Sequence, residues 1–103
     1  MTSPNGSPFK VVLSGQVRDK ITNLFQLAKN ANQGPAFLAA LKTMVARLRS
    51  DPDQFGEARF NLSHLDLEVR VASLRPIVVV YGVNRSGRVV FVRDIMPLPG
   101  AGF

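Results

Sequence analysis

The chain contains no cysteine, no tryptophan and one histidine, and only seven of its 103 residues are acidic. Without cysteine it can form neither a disulfide nor a thiolate metal site, and His64 alone cannot build a histidine-rich metal site. No apolar run approaches the roughly 20 residues that cross a bilayer. The opening "MTSPNGSP" lacks the basic and apolar regions of a signal peptide. We therefore expect a soluble, cytoplasmic protein without metal or cofactor.

Positive charge and apolar side chains dominate what remains. Thirteen lysines and arginines give a net charge of +6, and 46% of the residues are hydrophobic, which is typical of one globular domain. Such a charge attracts nucleic acid, acidic protein segments or anionic lipid without choosing among them. We expect a flexible N-terminal tail over residues 1–8, a single domain over residues 9–96 and an irregular C-terminal tail over residues 97–103.

The first half of the sequence predicts one strand and two helices. "FKVVLS" (9–14) is a β-rich run, and from residue 16 the apolar side chains recur at helical spacing. Ser14 is a suitable N-cap for this helix, which "NANQGP" ends. Pro35 suits the first turn of a second helix, and Asp51-Pro52 ends it. Two amphipathic helices with so short a connection should pack as an antiparallel pair.

The second half, after a connection over residues 51–66, predicts three strands within "LEVRVASLRPIVVVYGVNRSGRVVFVRDI" (67–95). The first alternates, with Glu68 and Arg70 on one face. The middle strand, residues 77–83, is apolar on both faces and is therefore central. Asn84 and Gly87 are expected to accept positive φ in the turn that follows. The predicted fold is α+β, in the order β-α-α-β-β-β, with two helices packed on one face of an antiparallel sheet.

This order of elements, the basic charge and the segment "PIVVVYGVNRSGRVVFV" resemble the RelE/ParE superfamily of bacterial toxins over residues 9–95. The family has an R-x-V-Y-x-V type segment before a turn and a V-V-x-V strand. The resemblance implies the toxin of a toxin–antitoxin pair, which binds RNA or the ribosome through a basic sheet surface and is neutralised by an acidic antitoxin protein. One branch of the family cuts messenger RNA, and another inhibits DNA gyrase.

RNA cleavage without a metal needs a base for the ribose 2′-hydroxyl, cations for the developing charge and an acid for the leaving oxygen. If the chain is an enzyme, it is expected to be a metal-independent endoribonuclease. The candidate catalytic residues are Arg75, Arg88, Tyr81 and Glu68. The candidate nucleic-acid-binding residues are Arg70, Arg75, Arg88 and Arg93 on the open face of the sheet, with Lys42 and Arg47 on the second helix.

Each candidate also has a purely structural interpretation. The arginines can be the solvated side of a sheet, with their stems covering apolar neighbours. Tyr81 can be core packing with a satisfied hydroxyl, and Glu68 can be one half of a cross-strand ion pair. Arg47 can simply favour the negative end of a helix dipole. Arg85 is expected to be solvated in its turn, and His64 is expected to have a surface or capping role in its loop.

Two departures from the family pattern favour a second hypothesis. The family's catalytic branch has an arginine three residues before the strand tyrosine, where this chain has Val78. It also has basic and acid–base residues after the last strand, where this chain has "MPLPGAGF". Arg75 stands at an even offset from Tyr81, so only a bulge at Pro76 would bring it to the expected face. The alternative is a non-catalytic interaction protein of the same fold, of the gyrase-inhibitor type or without a toxic target.

The apolar strands raise one further question. Residues 77–83 and 89–92 supply large side chains to both faces of the sheet, but two helices can cover only one face. The other face must be covered by the C-terminal tail, by a second copy of the chain in a homodimer, or by a partner protein.

Overall fold

The computed structural model describes residues 8–103, so the predicted N-terminal tail lies outside the described residues apart from Pro8, which is exposed. The fold is α+β, with a five-stranded sheet and two long helices. In the described part of the chain, no helix is both long enough and apolar enough to cross a membrane. The elements in chain order are β1 Lys10–Leu13, α1 Gly15–Asn30, α2 Gly34–Ser50, a short α3 Pro52–Phe55, β2 Glu57–Leu62, β3 Leu67–Leu74, β4 Ile77–Asn84 and β5 Val89–Pro97.

The helix boundaries confirm the signals in the sequence. The Ser14 hydroxyl accepts a hydrogen bond from the Val17 amide at 3.1 Å, which satisfies one of the free donors at the start of α1. Pro35 lies in the first turn of α2, where its missing N–H is not needed. The helix ends at Ser50, directly before the Asp51-Pro52 pair. Three residues connect α1 to α2, and the Phe25 and Phe37 rings pack 6.1 Å apart between them.

The sheet is mixed, which corrects the prediction of an antiparallel one. Its strand order is β1-β5-β4-β3-β2, with β1 parallel to β5 and every other neighbouring pair antiparallel. The parallel pair arises because the two helices carry the chain over the sheet between β1 and the later strands. The apolar strand β4 is central, as predicted.

A further correction is β2, which the sequence interpretation treated as part of a loop. It pairs with β3, but the register shifts between Ala58 and Phe60, so the alternation of apolar and polar residues is broken there. The order is therefore β-α-α-β-β-β-β, with α3 between α2 and β2. This extra strand makes β3 an inner strand and places β2 at the edge opposite β1.

The two helices pack on one face of the sheet, as predicted. On β4 the inward residues are Ile77, Val79, Tyr81 and Val83, all at most 1% exposed. They form one cluster with side chains from both helices and from β5: Val17, Leu24, Ala28, Phe37, Ala40, Met44, Leu48, Val90, Val92 and Ile95. This layer fixes which side of every strand is covered, because directly paired residues share a face.

The opposite face is apolar and has no layer over it among the described residues. One straight row crosses all five strands: Phe60, Val69, Gly82, Phe91 and Val12. Leu67 leans over Gly82, whose added Cβ would lie 3.4 Å from its side chain, so the centre of the row is filled. We call this row, with its neighbours Leu62, Leu67, Val71, Val78 and Val80, the open face.

The C-terminal tail follows a different path and does not cover the open face. After β5, the Leu98 amide donates to Pro76 O at 2.8 Å. The Gln33 amide group then donates to Ala101 O, and the Phe103 ring packs edge-on to Phe37 with centroids 6.1 Å apart. Residues 98–103 therefore close the helix side of the sheet.

The hairpin turn between β4 and β5 differs in detail from the prediction. The residue with positive φ is Arg88, at 53°, and neither Asn84 nor Gly87. The Asn84 side chain instead accepts a hydrogen bond from the Gly87 amide at 2.6 Å, which closes the turn. Arg88 is held in this conformation by its carbonyl, which accepts from Lys10 N at 2.9 Å, and by its guanidinium, 4.3 Å from the centre of the Phe9 ring.

Candidate functional site

The predicted arginine surface does not form as one patch. Arg70 pairs directly with Tyr81, so it lies on the helix side of the sheet, away from the open face. Alternation along β3 correctly separated Glu68 and Arg70 from Val69, but it could not tell which of the two sets would be covered. The packing of β4 and β5 decides that, because their inward residues form the core with the helices.

Arg75 and Arg88 also lie far apart. Arg75 is exposed in the turn before β4, and Arg88 follows the turn after it. The eight residues of β4 separate these turns by roughly 25 Å. No register shift occurs at Pro76, so the bulge that would have reoriented Arg75 is absent from the β3–β4 pair. Arg93 is exposed at a bulge in β5, where the register shifts opposite Val80 and Tyr81.

Four charged side chains from α3, the first half of β3 and the β4–β5 turn form what we call the ion-pair network: Asp53, Glu68, Arg70 and Arg85. Glu68 accepts from Arg70 Nη1 at 2.7 Å and from Arg85 Nη2 at 2.8 Å. Arg85 also lies 2.8 Å from Asp53 of α3, and Arg70 donates to the Gly56 carbonyl. Two cations and two carboxylates are thus matched within the protein.

This matching weakens Glu68 as a base. The hydrogen bond from Arg70 lowers the pKa of the Glu68 carboxyl below its ordinary value, and the bond from Arg85 lowers it further, against the opposing effect of burial. A carboxyl with a lowered pKa accepts a proton poorly at neutral pH. The geometry therefore matches the ion-pair interpretation of Glu68 better than a catalytic one.

Tyr81, like Glu68, is bonded within the protein. Its side chain is 0% exposed, and its hydroxyl donates to Pro52 O at 2.7 Å. Its ring stacks on Phe55, with centroids 6.1 Å apart. Burial raises the pKa of the phenol, which makes proton loss harder. In this arrangement Tyr81 ties α3 to the sheet and presents no proton to the surface.

The remaining candidates divide between pairing and exposure. Arg47 binds Asp51 at 2.9 Å, and its guanidinium lies 5.0 Å from the centre of the Phe55 ring. His64 is exposed in a single 3-10 turn. Within residues 8–103, no three potential metal-ligating side chains lie close enough to hold an ion. Lys42 differs from Arg47, because it lies beside an apolar cleft of α2.

A second region, on the other side of the molecule, has the opposite character. Three clefts of about 400, 390 and 260 Å³ adjoin one another along α2 and β1, and all three are lined by Val45. We call them together the basic groove. Its apolar lining comprises Pro8, Phe9, Val11, Leu13, Ile21, Leu38, Leu41, Met44 and Val45, and its charged lining comprises Lys10, Arg18, Lys42 and Arg49.

All four charges of the basic groove are positive, and no acidic side chain of residues 8–103 lines it. None of the four cations makes an ion pair with another residue of the described chain. Leu38, 46% exposed, adds a protruding apolar side chain. An apolar floor with a rim of one sign of charge is the composition of a binding surface for a chain of the other sign.

One end of the groove concentrates the cations. The Phe9 amide donates to Arg49 O at 2.8 Å, and the Lys10 amide donates to Arg88 O at 2.9 Å. Phe9, Lys10 and Arg49 line one cleft, and the Arg88 guanidinium lies over the Phe9 ring. We call this group the basic end.

Comparison with known protein families, curated proteins and solved structures finds no match.

The sequence interpretation overlooked most of these residues. Arg85, expected to be solvated, bridges two carboxylates, and Asp53 was left in a loop. A signal for the groove did exist. Leu38, Leu41, Lys42 and Val45 recur at helical spacing along α2 and form a flank beyond the stripe that the core uses. The contributions of Lys10 and Arg18 could not be read, because they depend on how β1 and α1 pack beside α2.

Proposed function

We propose that this chain is a non-catalytic interaction protein, of the kind that forms one half of a toxin–antitoxin pair, and that its basic groove binds an acidic segment of the partner. The observation that carries the proposal is the groove itself, with four unmatched cations around a continuous apolar floor. The partner implied by this chemistry is amphipathic, with apolar side chains for the floor and carboxylates for the rim.

The non-catalytic form of the hypothesis is supported by the state of the candidate catalytic residues. Glu68 and Tyr81 are bonded within the protein, and Arg75 and Arg88 lie at opposite ends of β4. Metal-free RNA cleavage requires a base, an acid and cations within reach of one phosphate. Glu68 and Tyr81 are turned inward, and Arg75 and Arg88 are too far apart to contact the same phosphate.

The proposal is tested by expressing the chain with and without the protein encoded in the adjacent reading frame. We expect that protein to be small and acidic and to co-purify with this chain. Leu38→Asp places a carboxylate in the groove and should abolish co-purification. The carboxylate would repel the acidic partner, and removing it from water in the complex would cost free energy. Leu27→Asp is the matched control, since Leu27 is exposed to a similar extent, 51%, on α1 outside the groove.

Loss of co-purification in both variants, or in neither, would show that the groove is not the binding site. If the adjacent frames encode no acidic protein, the proposal fails at its first step. Expression alone separates the toxin branches. Arrested translation with cleaved messenger RNA would contradict the non-catalytic form, whereas intact messenger RNA with rising DNA damage would indicate gyrase as the target.

RNA binding is a second candidate function, favoured by the basic end. There Lys10 and Arg49 line one cleft with Phe9, and no acidic side chain of residues 8–103 lines that cleft. Two phosphate contacts to single-stranded RNA, from Lys10 and Arg49, would give a slope of about −1.4 in a plot of log K against log salt concentration. Fluorescence anisotropy with a short labelled RNA measures that slope. Arg49→Ala should reduce it by somewhat less than one unit, and Arg59→Ala, on the far edge strand, should leave it unchanged.

A further inference from the structure

We propose that the open face is a self-association surface, on which a second copy of this chain packs sheet against sheet. This inference does not depend on the proposed partner, because the basic groove lies on α2 and β1 while the open face lies on the uncovered side of the sheet. Both surfaces can be occupied at the same time.

The geometry of the open face favours a flat partner. Within the row, Phe60 and Phe91 are 52% and 39% exposed and lie on either side of Val69 and Gly82. Leu67 fills the space above Gly82, so the centre has no hole to receive a protruding side chain. Val69 is only 2% exposed, although it lies outside the cluster that the helices form with the sheet. A surface of this shape fits another sheet face.

No other part of the described chain covers this surface. The two helices occupy the opposite face, and the tail closes the helix side through Gln33 and Phe37. The row is apolar across all five strands, and its two exposed members, Phe60 and Phe91, lie on either side of the buried Val69 and Gly82.

The area is sufficient for a weak dimer. Five strands of four to nine residues, spaced about 4.8 Å apart with about 3.3 Å per residue, give a face of roughly 500 Å², or about 1,000 Å² for two copies. That total is at the lower limit for a specific interface, so we expect a dissociation constant on the order of 1 to 100 μM.

Charge distribution selects a second copy over an acidic partner at this face. The central row is uncharged, so it offers nothing to a carboxylate, while the unmatched cations Arg18, Lys42 and Arg49 line the groove on the helix side. Lys10, two residues before Val12 on β1, lies at the edge between the two surfaces. Two copies, each with a net charge of +6, repel one another overall. Added salt screens this repulsion and should strengthen the dimer, but it should weaken the binding of an acidic partner at the groove.

Sedimentation equilibrium at several protein concentrations tests the inference with the wild type, Phe60→Ser, Phe91→Ser and Leu27→Ser. Each interface side chain occurs twice in a two-fold dimer, so either phenylalanine substitution should weaken dimerisation at least about tenfold. Leu27→Ser should dimerise as the wild type does. Circular dichroism establishes that each variant is folded, and should one phenylalanine variant unfold, the other gives the answer.

A wild-type chain that remains monomeric up to about 1 mM would overturn the inference, since the expected constant lies well below that concentration. It would also be overturned by a dimer that both phenylalanine variants retain, or by one that dissociates as salt is raised from 50 to 500 mM. A salt-strengthened dimer lost in either phenylalanine variant would establish it.

Discussion

The two charged regions of this protein use the same residue types in opposite ways. In the ion-pair network, Arg70 and Arg85 each meet a carboxylate, so the charge is matched and holds α3 and the β4–β5 turn against β3. In the basic groove, Lys10, Arg18, Lys42 and Arg49 meet none within the described chain. A count of cations along the sequence cannot distinguish these regions. The difference predicts that the network stabilises the fold, whereas the proposed partner would bind at the groove.

The largest expected effect is on stability, from Glu68→Ala. The side chains of Glu68 and Arg70 are only 18% and 12% exposed, so removing the carboxylate leaves a mostly buried guanidinium without its partner. We expect a loss of about 3 kcal/mol in the free energy of unfolding, measured by urea denaturation. Glu57→Ala, at an exposed glutamate of β2, should change it by less than about 0.5 kcal/mol. An equal loss in the free energy of unfolding for both variants would contradict the stabilising role assigned to the ion pairs of Glu68.

A single methyl group added at Gly56, beside the ion-pair network, should also lower the stability of the protein. A Cβ at Gly56 would lie 2.7 Å from the Val71 carbonyl oxygen and 2.9 Å from the Tyr81 hydroxyl. Gly56→Ala should therefore cost about 2 kcal/mol, because the backbone of β3 must shift. Gly15→Ala is the control, since its added Cβ meets nothing within 4 Å at the start of α1. Thermal unfolding should show a lower midpoint for the first variant and an unchanged or higher one for the second.

Acid should weaken the ion-pair network. The pKa of Glu68 is lowered in the folded state by Arg70, and the pKa of Asp94 is lowered by Lys20. A lowered folded pKa contributes stability above the unfolded pKa, about 4, and that stability is lost as the pH falls through the folded pKa. Urea denaturation between pH 7 and pH 2 should show this loss, and Glu68→Gln should show less of it. An identical pH profile in the variant would contradict the role assigned to Glu68.

The smallest expected effect on stability comes from the groove itself. Lys42→Glu removes no ion pair within residues 8–103, so the free energy of unfolding should change by less than about 0.5 kcal/mol. A loss above about 1.5 kcal/mol would show that this cation supports the fold. The Lys42→Glu substitution should instead weaken the binding of the acidic partner.

Local signals in the sequence predicted the local structure well. Ser14, Pro35 and the Asp51-Pro52 pair each act through bonds with near neighbours, and each marks a helix boundary where it was expected. The alternation of Glu68 and Arg70 against Val69 is also local, and it was correct. The central place of β4 followed from its apolar side chains on both faces.

Features that depend on distant packing could not be predicted in the same way. The parallel pairing of β1 with β5 joins residues about 80 positions apart, and the shift between Ala58 and Phe60 hides β2 from any test of alternation. The covered face of β3 is chosen by side chains of β4 and β5. Arg70 was for this reason assigned to the wrong surface, and the groove was missed. The resemblance to the RelE/ParE superfamily remains a prediction.

The most direct test of the central claim, that unmatched charge marks the working surface, is a calorimetric titration of two double charge reversals with the acidic protein from the adjacent reading frame. Arg18→Glu with Lys42→Glu alters the groove, whereas Arg59→Glu with Arg75→Glu lowers the net charge equally at β2 and the β3–β4 turn. We predict that the groove variant binds at least about tenfold more weakly than the other. Equal loss of affinity in the two variants would contradict the claim, because it would show that only total charge matters.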